Sequence, residues 1–273
     1  MLKFTFVATS FYPKPFPHGG EHADRLHQLM ELAGSAPGYG CHPTIIVDGT
    51  HGEAGEYVRG CLSKCGGAIV AREINEGTMA SRKQALSLAV ALHGADPKHL
   101  VCWTEEKPHL VRSSAHIASY MSAKGFAIGV VKRDPKWFKA TYPASQVRSE
   151  TKGNRVFAKC TGVKGLDIFS GPIVVTIETL RLLLSELDGA VLGAWGLTPF
   201  AAGYFQHWLV MLAISRGLPV GSIPVEFALS AEQCFVESTI LAAQMREKRR
   251  RQFQELTAGY RSAASVLGLP NNV

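Results

Sequence analysis

The chain has 273 residues, of which 46% are apolar and 19% charged, and its formal net charge is +7. This balance excludes a disordered or fibrous protein, and the length suffices for one domain with a substantial core. The apolar stretches are too short or too interrupted to cross a bilayer, and the first residues lack the apolar run of a signal peptide, so we expect a cytoplasmic protein.

The first half of the chain alternates apolar segments with segments of helical periodicity. The predicted strands are residues 3–9, 44–47, 68–71, 99–103 and 127–131, and the predicted helices are residues 21–33, 53–65, 78–92 and 111–124. This alternation predicts right-handed βαβ units in an α/β fold with a mainly parallel sheet. Strands that are apolar throughout indicate a doubly wound sheet, with helices on both faces.

The second half is less regular. Residues 142–156 are polar, and the pattern fits either a loop or a helix with a frayed end. The other predicted elements are a helix over residues 173–187 whose first residues could be extended, a helix over 200–216, a strand over 220–227 and a long amphipathic helix over 231–266. Pro224 indicates an edge or a bulge in that strand, and Gly259 indicates a break in the last helix.

The predicted organisation is an α/β domain over residues 1–230 and a C-terminal helical extension over residues 231–273, which packs on the domain or extends from it. Much of the positive charge is one run, residues 246–251, within that extension. Because no aromatic residues are interleaved with it, a solvated face is favoured over nucleic-acid binding. The same helix could serve in a homodimer or touch an anionic surface.

Cysteines and histidines give no metal motif. Of the six cysteines, only Cys61 and Cys65 are close in sequence, no CxxC pair occurs, and buried thiols in a reducing compartment are favoured over a zinc site. No HExxH motif occurs, and His207, in an apolar segment, is interpreted as a core histidine rather than a metal ligand. GxGxxG, P-loop and GxSxG motifs are also absent.

Polar residues follow the predicted strands at the edge where open α/β sheets bind ligands. They are Thr9 and Ser10 after the first strand, Asp48 after the second, Arg72, Glu73, Asn75 and Glu76 after the third, and Glu105 and Glu106 after the fourth. Asp48 could accept a hydrogen bond from a ribose or a base, or could simply start a loop. The helix start after Gly77, with Arg82 nearby, could hold a diphosphate, or could be an ordinary cap with Arg82 exposed.

Glu105 and Glu106 stand between Trp103 and Lys107 directly after a buried strand. Paired carboxylates there could bind Mg²⁺ or Mn²⁺ and so neutralise a diphosphate, with Lys107 supplying part of the positive charge. The alternative is an ordinary charged turn before Pro108.

In their order along the chain, these motifs resemble the GT-A glycosyltransferases, particularly the family-2-like group. The motifs are Val7-Ala8-Thr9, Val47-Asp48, Asn75-x-Gly77-x4-Arg82 and the acidic end of the fourth strand, with a looser similarity over residues 200–227. The resemblance implies that Ala8, Thr9 and Asp48 hold a nucleotide, that Asn75, Gly77 and Arg82 lie near its diphosphate, and that Glu105 and Glu106 bind the metal. Thr104-Glu105-Glu106 stands where the family has Asp-x-Asp.

The leading hypothesis is therefore transfer of a sugar from a nucleotide diphosphate sugar to an unidentified hydroxyl acceptor. Among Asp167, Glu178, Glu226 and Glu237, Asp167 is preferred as the catalytic base because it lies in a loop-like segment before Gly171-Pro172. Two alternatives stay open. One is a nucleotidyltransferase, for which Lys14 and Gly19-Gly20 are a poor version of the basic glycine-rich loop, and the other is a non-catalytic relative that only binds a nucleotide or another ligand.

Overall fold

A computed structural model describes residues 2–12, 21–72, 77–226, 234–235, 238–239 and 242–271. The described chain is α/β with a mixed, Rossmann-like sheet of seven strands in the order β3-β2-β1-β4-β6-β5-β7. The strands are β1 Phe4–Ser10, β2 His42–Asp48, β3 Ala68–Ala71, β4 Leu100–Trp103, β5 Ile128–Arg133, β6 Ile173–Thr176 and β7 Val220–Val225. Within the described ranges, no helix combines the length and the apolar character that crossing a membrane requires.

The helices alternate with the strands in the first half and dominate the second. They are α1 Glu21–Ser35, α2 Gly52–Ser63, α3 Thr78–His93, α4 His109–Arg112, α5 Ser114–Lys124, α6 Pro135–Thr141, α7 Ala144–Thr161, α8 Ile177–Glu186, α9 Gly189–Ala194, α10 Pro199–Ala202, α11 Phe205–Ser215 and α12 Ala242–Val266. Short 3₁₀ turns occupy Ala36–Tyr39 and Ile168–Ser170. The chain divides into two compact units, the first over Met1–Ile128 and Pro172–Glu186 and the second over Gly129–Gly171 and Leu187–Val273.

The first unit contains β1 to β4, which are parallel, and β6, which pairs antiparallel with β4. The apolar side chains of β1 are buried, as expected for a central strand covered on both faces. The chain builds outward from β1 to β2 and β3 and then returns to β4 on the other side of β1. This reversal creates a switch point at the carboxyl ends of β1 and β4, where open α/β sheets form their ligand crevices.

The structure settles several elements that the sequence left open. The first residues of the segment 173–187 are extended, as the sequence allowed, because the β-branched run Ile173–Thr176 pairs with β4 and the helix begins at Ile177. The sheet is consequently mixed. The helix predicted over residues 111–124 is instead two helices. Of the polar segment 142–156, all but the first two residues belong to the helix α7, which agrees with the helical alternative. Pro224 does lie in an edge strand, as predicted, because β7 is last in the sheet order.

The second unit has an aromatic core around α7, α11 and α12. The Phe157 and Tyr260 rings meet edge to face with centroids 5.1 Å apart. His207 is buried, with Nδ1 2.6 Å from the Tyr260 hydroxyl, which confirms its interpretation as a core histidine. The predicted domain boundary at residue 230 falls among residues 227–233, outside the described ranges, and it stays a prediction.

The predicted break near Gly259 is wrong, because α12 continues through it. Gly259 is instead a close-packing position: a Cβ there would lie 2.8 Å from Trp208 Cη2 and 2.9 Å from Leu197 Cδ2. Although alanine favours helices by about 1 kcal/mol over glycine, we expect Gly259→Ala to lower the free energy of unfolding by about 1–3 kcal/mol through overpacking. Denaturant unfolding measures this change. Gly193→Ala, at an exposed position of α9 with open space around it, is the matched control and should be neutral or stabilising.

Candidate functional site

The polar ends of β1, β2 and β4 meet in the first unit. Ser10 and Asp48, the last residues of β1 and β2, lie opposite each other in the register. Directly after β4, the Thr104 N–H donates to the Val7 carbonyl at 3.0 Å. Ala8 is buried and Thr9 half-buried inside β1. Ser10 and Asp48 therefore come together at this edge, as expected from the sequence, and the turn that carries Glu105 and Glu106 begins beside them at Thr104.

Asp48 is fully buried and organises the loop that follows β2. Its Oδ1 accepts hydrogen bonds from Ser10 Oγ at 2.8 Å and from the Thr50 N–H at 3.0 Å, and its Oδ2 accepts one from Arg59 Nη1 at 3.1 Å. The same Nη1 donates to the Thr50 carbonyl at 3.1 Å. Asp48 thus holds Ser10 and Thr50 in place at the end of the sheet, and Arg59 compensates its charge.

Gly55 lets helix α2 approach this loop closely. A Cβ on Gly55 would lie 2.4 Å from the Thr50 carbonyl oxygen, so no larger residue fits without moving the loop. Thr50 also binds the chain after β1, because its Oγ1 accepts a hydrogen bond from the Tyr12 N–H at 3.1 Å. The loops after β1 and β2 are thereby joined, and Ser10, Asp48 and Thr50 form one polar rim at the end of these strands.

Glu105 and Glu106 are each paired with an arginine from a different helix. Arg82 of α3 donates from Nη2 to Glu105 Oε1 at 2.6 Å, and its guanidinium lies 5.0 Å from the Trp103 ring centroid. Arg25 of α1 donates from Nε and Nη2 to Glu106 Oε1, at 3.0 and 2.7 Å. The Glu105 side chain is 44% exposed and that of Glu106 only 12%, so Glu105 is the more accessible carboxylate.

The expectation that Arg82 lies beside the acidic turn is met, and the alternative of an exposed Arg82 is wrong, since only 7% of it is exposed. Gly77 caps α3 with a φ of +90°, a conformation that favours glycine. Lys107 is half-buried on the same turn, its N–H donating to the Glu105 carbonyl at 2.8 Å. Asn75, Lys14 and Gly19-Gly20 fall outside the described residues.

Arg25 was missed by sequence reasoning. The signal available was its place in the first turns of the helix that follows β1, because the helix starts of right-handed βα units lie at the carboxyl edge of the sheet. The same placement at a helix start predicted Arg82 in α3, and Arg25 has it in α1. No sequence pattern indicated that Arg59 pairs with Asp48, because this contact depends on how α2 packs over the loop after β2.

Asp167 belongs to the second unit, in a buried ion-pair cluster. Arg133 donates to it from Nε at 2.8 Å, from Nη2 at 2.9 Å and from the backbone N–H at 3.3 Å, and Asn154 Nδ2 donates at 2.8 Å. Arg133 Nη2 also pairs with Glu150 at 2.8 Å. A carboxylate that accepts four hydrogen bonds is engaged in holding the fold, so this geometry favours a structural role over that of a base.

The acidic turn offers carboxylate oxygens as ligands to Mg²⁺ or Mn²⁺. Carboxylate oxygens are the ligands these hard cations prefer, and Glu105 is accessible. Among the described residues, the two glutamates belong to no group of three or more potential metal ligands. The residues fit a cation that takes its other ligands from phosphate oxygens and water, as Mg²⁺ commonly does beside a substrate phosphate.

His109, the first residue of α4, lies just beyond this turn. Burial, and then the positive charges of Lys107 and Arg112, lower its pKa from 6.5 to about 4. The unfolded chain therefore takes up a proton at a higher pH than the folded one. The stability that this histidine contributes is fully present above about pH 6.5 and is lost as the pH falls towards about 4.

We accordingly expect His109→Gln to reduce the acid sensitivity of the fold, because glutamine stays neutral. Denaturant unfolding at about pH 7 and about pH 5 should show a smaller loss of unfolding free energy in the variant than in the parent. His116→Gln, at an exposed histidine of α5, should behave like the parent. Equal losses in all three proteins would contradict the assignment to His109.

No protein-family model matches the chain, and no curated protein gives a significant match.

Proposed function

We propose that the protein is a glycosyltransferase that moves a sugar from a nucleotide diphosphate sugar to a hydroxyl acceptor. The observation that carries this proposal is the convergence of Arg25 and Arg82, from two helices, on the acidic turn at the switch point between β1 and β4. Guanidinium groups bind phosphate oxygens with charge-assisted, directional hydrogen bonds. The resemblance of the motifs to GT-A glycosyltransferases points to the same chemistry.

The nucleoside is assigned to the polar rim after β1 and β2. Asp48 holds the Ser10 hydroxyl and the Thr50 backbone in fixed positions, and Thr9 is half-buried beside them. Because the Ser10 O–H already donates to Asp48, its oxygen would act on a ribose hydroxyl as an acceptor. Asp48 holds Ser10 and Thr50 in place and does not itself contact the nucleoside, because its oxygens already accept three hydrogen bonds.

The diphosphate is assigned to Gly77, Arg82 and Lys107. As the acceptor oxygen bonds to the anomeric carbon and the bond from that carbon to the diphosphate oxygen breaks, the acceptor hydroxyl releases its proton to a base or to water, and negative charge develops on the leaving group. Arg82 is buried and held by Glu105 and Trp103, so it can face that charge without reorganising. Mg²⁺ or Mn²⁺ held at the acidic turn, chiefly by the more accessible Glu105, would neutralise charge on the phosphate oxygens when bound.

The test is a thermal-shift panel of UDP-, GDP- and ADP-sugars with and without Mn²⁺, followed by detection of the released nucleoside diphosphate. A shift with one nucleotide sugar, together with diphosphate release, supports the proposal. A shift with nucleoside triphosphates and sugar phosphates instead would favour a nucleotidyltransferase. No shift with any nucleotide would exclude both activities.

A binding protein without turnover is the second candidate, and the pairing of both turn carboxylates with arginines favours it. Carboxylates already neutralised by guanidinium groups attract a divalent cation less strongly than free ones. This candidate predicts a thermal shift with a nucleotide sugar but no release of nucleoside diphosphate under any metal condition.

Metal dependence should rest on Glu105 rather than on Glu106. We expect Glu105→Gln to raise the Mn²⁺ concentration needed for half-maximal activity by about 10- to 100-fold. Glu106→Gln should affect stability more than metal dependence, because its side chain is largely buried against Arg25. Glu31→Gln, at an exposed position of α1, is the control. Unchanged metal dependence in Glu105→Gln would mean that the acidic turn is structural.

A further inference from the structure

Three histidines of the first unit lie together at the amino edge of the parallel strands. His42 is the first residue of β2, His93 is the last residue of α3, and His99 directly precedes β4. The proposed nucleotide site lies at the carboxyl ends of these same strands. The histidine group is therefore separate from that site, and no step of the proposed reaction uses it.

The three imidazoles are close enough to share one ion. One nitrogen of each ring lies within 4.8 Å of the corresponding nitrogens of the other two. The ring centroids are 4.6 Å apart for His42 and His93, 4.9 Å for His42 and His99, and 4.1 Å for His93 and His99. Zinc–nitrogen bonds of about 2.0–2.1 Å in a tetrahedral site place the nitrogens about 3.4 Å apart, so binding requires the nitrogens to close in by up to about 1.4 Å. Because the His93 and His99 rings are stacked, with 3° between their planes, the His93 ring must also turn until its lone pair points to the same ion.

The adjustment falls to the two more exposed rings. His42 and His93 are half-buried, whereas His99 is buried and hydrogen-bonded to Thr5. His99 Nε2 lies 2.8 Å from the hydroxyl of Thr5, a buried residue of β1. In the tautomer whose Nε2–H donates to Thr5, the lone pair of Nδ1 is available to a metal. A hydrogen bond of this kind on the second ring nitrogen is typical of metal-binding histidines.

The charge state of the cluster also suits coordination. Burial, together with the neighbouring imidazoles His93 and His42, lowers the pKa of His99 to about 4, and burial and His42 lower the pKa of His93. Both rings are therefore neutral near pH 7, which is the form that binds metals. The nearby charges, Lys3 and Asp96, pair with each other at 2.9 Å.

We propose that His42, His93 and His99 form a binding site for Zn²⁺ or a similar borderline divalent cation, with a water molecule completing the coordination. Three imidazoles without a carboxylate select Zn²⁺, Co²⁺, Ni²⁺ or Cu²⁺ over Mg²⁺ or Mn²⁺. An ion there would link β2, α3 and β4 and so raise the stability of the first unit.

The experiment is titration of the metal-stripped full chain with Zn²⁺ by calorimetry, with Co²⁺ absorption as a second readout. We expect one zinc ion per chain, a rise in Tm with zinc concentration, and a Co²⁺ spectrum of nitrogen and oxygen ligands. His42→Gln and His93→Gln should each weaken zinc binding by at least about tenfold, whereas the control His116→Gln should bind like the parent. Circular dichroism of the zinc-free variants establishes that they fold.

Two results would overturn the proposal. Unchanged zinc affinity in both His42→Gln and His93→Gln would show that the three rings are only a packed aromatic cluster. A thiolate-to-cobalt charge-transfer band would assign the metal to cysteine, with Cys61 and Cys65 as the nearest pair in sequence. Because the readouts are binding and Tm, they are independent of glycosyl transfer.

Discussion

Replacing Arg133 with methionine is expected to lower the free energy of unfolding by about 3–5 kcal/mol, the cost of removing one partner from a buried ion pair. Arg133 is 3% exposed, and its guanidinium lies between Asp167 and Glu150, a residue that is 1% exposed. Although burial alone would lower the pKa of Arg133, the two carboxylates raise it, so the arginine stays charged. Without it, two buried carboxylates lose their main counter-ion.

Denaturant unfolding monitored by circular dichroism measures this effect. The matched control is Arg250→Met in α12, because Arg250 also pairs with a glutamate, Glu247, but the pair is exposed and should contribute nothing measurable. Equal, small effects in both variants would show that water reaches the Arg133 cluster. A large effect at Arg133 would support the structural role of Asp167, since the two residues share the same hydrogen bonds.

Replacing Arg82 with methionine is expected to lower kcat/KM for sugar transfer by about 100- to 1,000-fold, the range for loss of one preorganised donor to a developing negative charge. This expectation rests on the proposed function. Arg82 is the most buried cation at the acidic turn, and both Glu105 and the Trp103 ring hold its guanidinium. Steady-state kinetics with the nucleotide sugar identified by the thermal-shift panel provide the measurement.

The double variant Arg82→Met/Glu105→Gln separates catalysis from local structure. If Arg82 only neutralises Glu105, the double variant, assayed at a Mn²⁺ concentration that saturates Glu105→Gln, should be as active as Glu105→Gln alone, because no unpaired carboxylate remains. If Arg82 stabilises the leaving diphosphate, the double variant should be as slow as Arg82→Met or slower. Arg112→Met, at an exposed arginine of α4, is the control and should keep the parent rate.

Much of the first unit was predictable, because local patterns there agree with the tertiary fold. The apolar runs that became β1 to β4 and the helical periodicity of α1 to α3 each depend on neighbouring residues only. Placing Asp48, Arg82 and Glu105 at one edge then required only the rule that parallel strands of βαβ units end on the same side. The location of the candidate site followed from these two steps.

Pairings between distant segments were not predictable in the same way. By itself, the β-branched start of residues 173–187 fits either a strand or a helix. It becomes the strand β6 because it pairs with the edge of β4 that β1 does not occupy. A glycine such as Gly259 is typical of a helix break, yet here it allows the Trp208 ring to pack closely against the helix. In both cases the deciding contact comes from a residue far away in sequence.

The sequence by itself determined the alternating α/β order and the sheet edge that carries the polar residues, because strand and helix periodicity and strand direction are local properties. Only the tertiary structure decided which charges meet: Arg25 with Glu106, Arg82 with Glu105, and Arg133 with Asp167. It alone brought His42, His93 and His99 together. These groups are separated by up to 81 residues, and side chains that far apart become neighbours only when the packing of whole elements sets their positions.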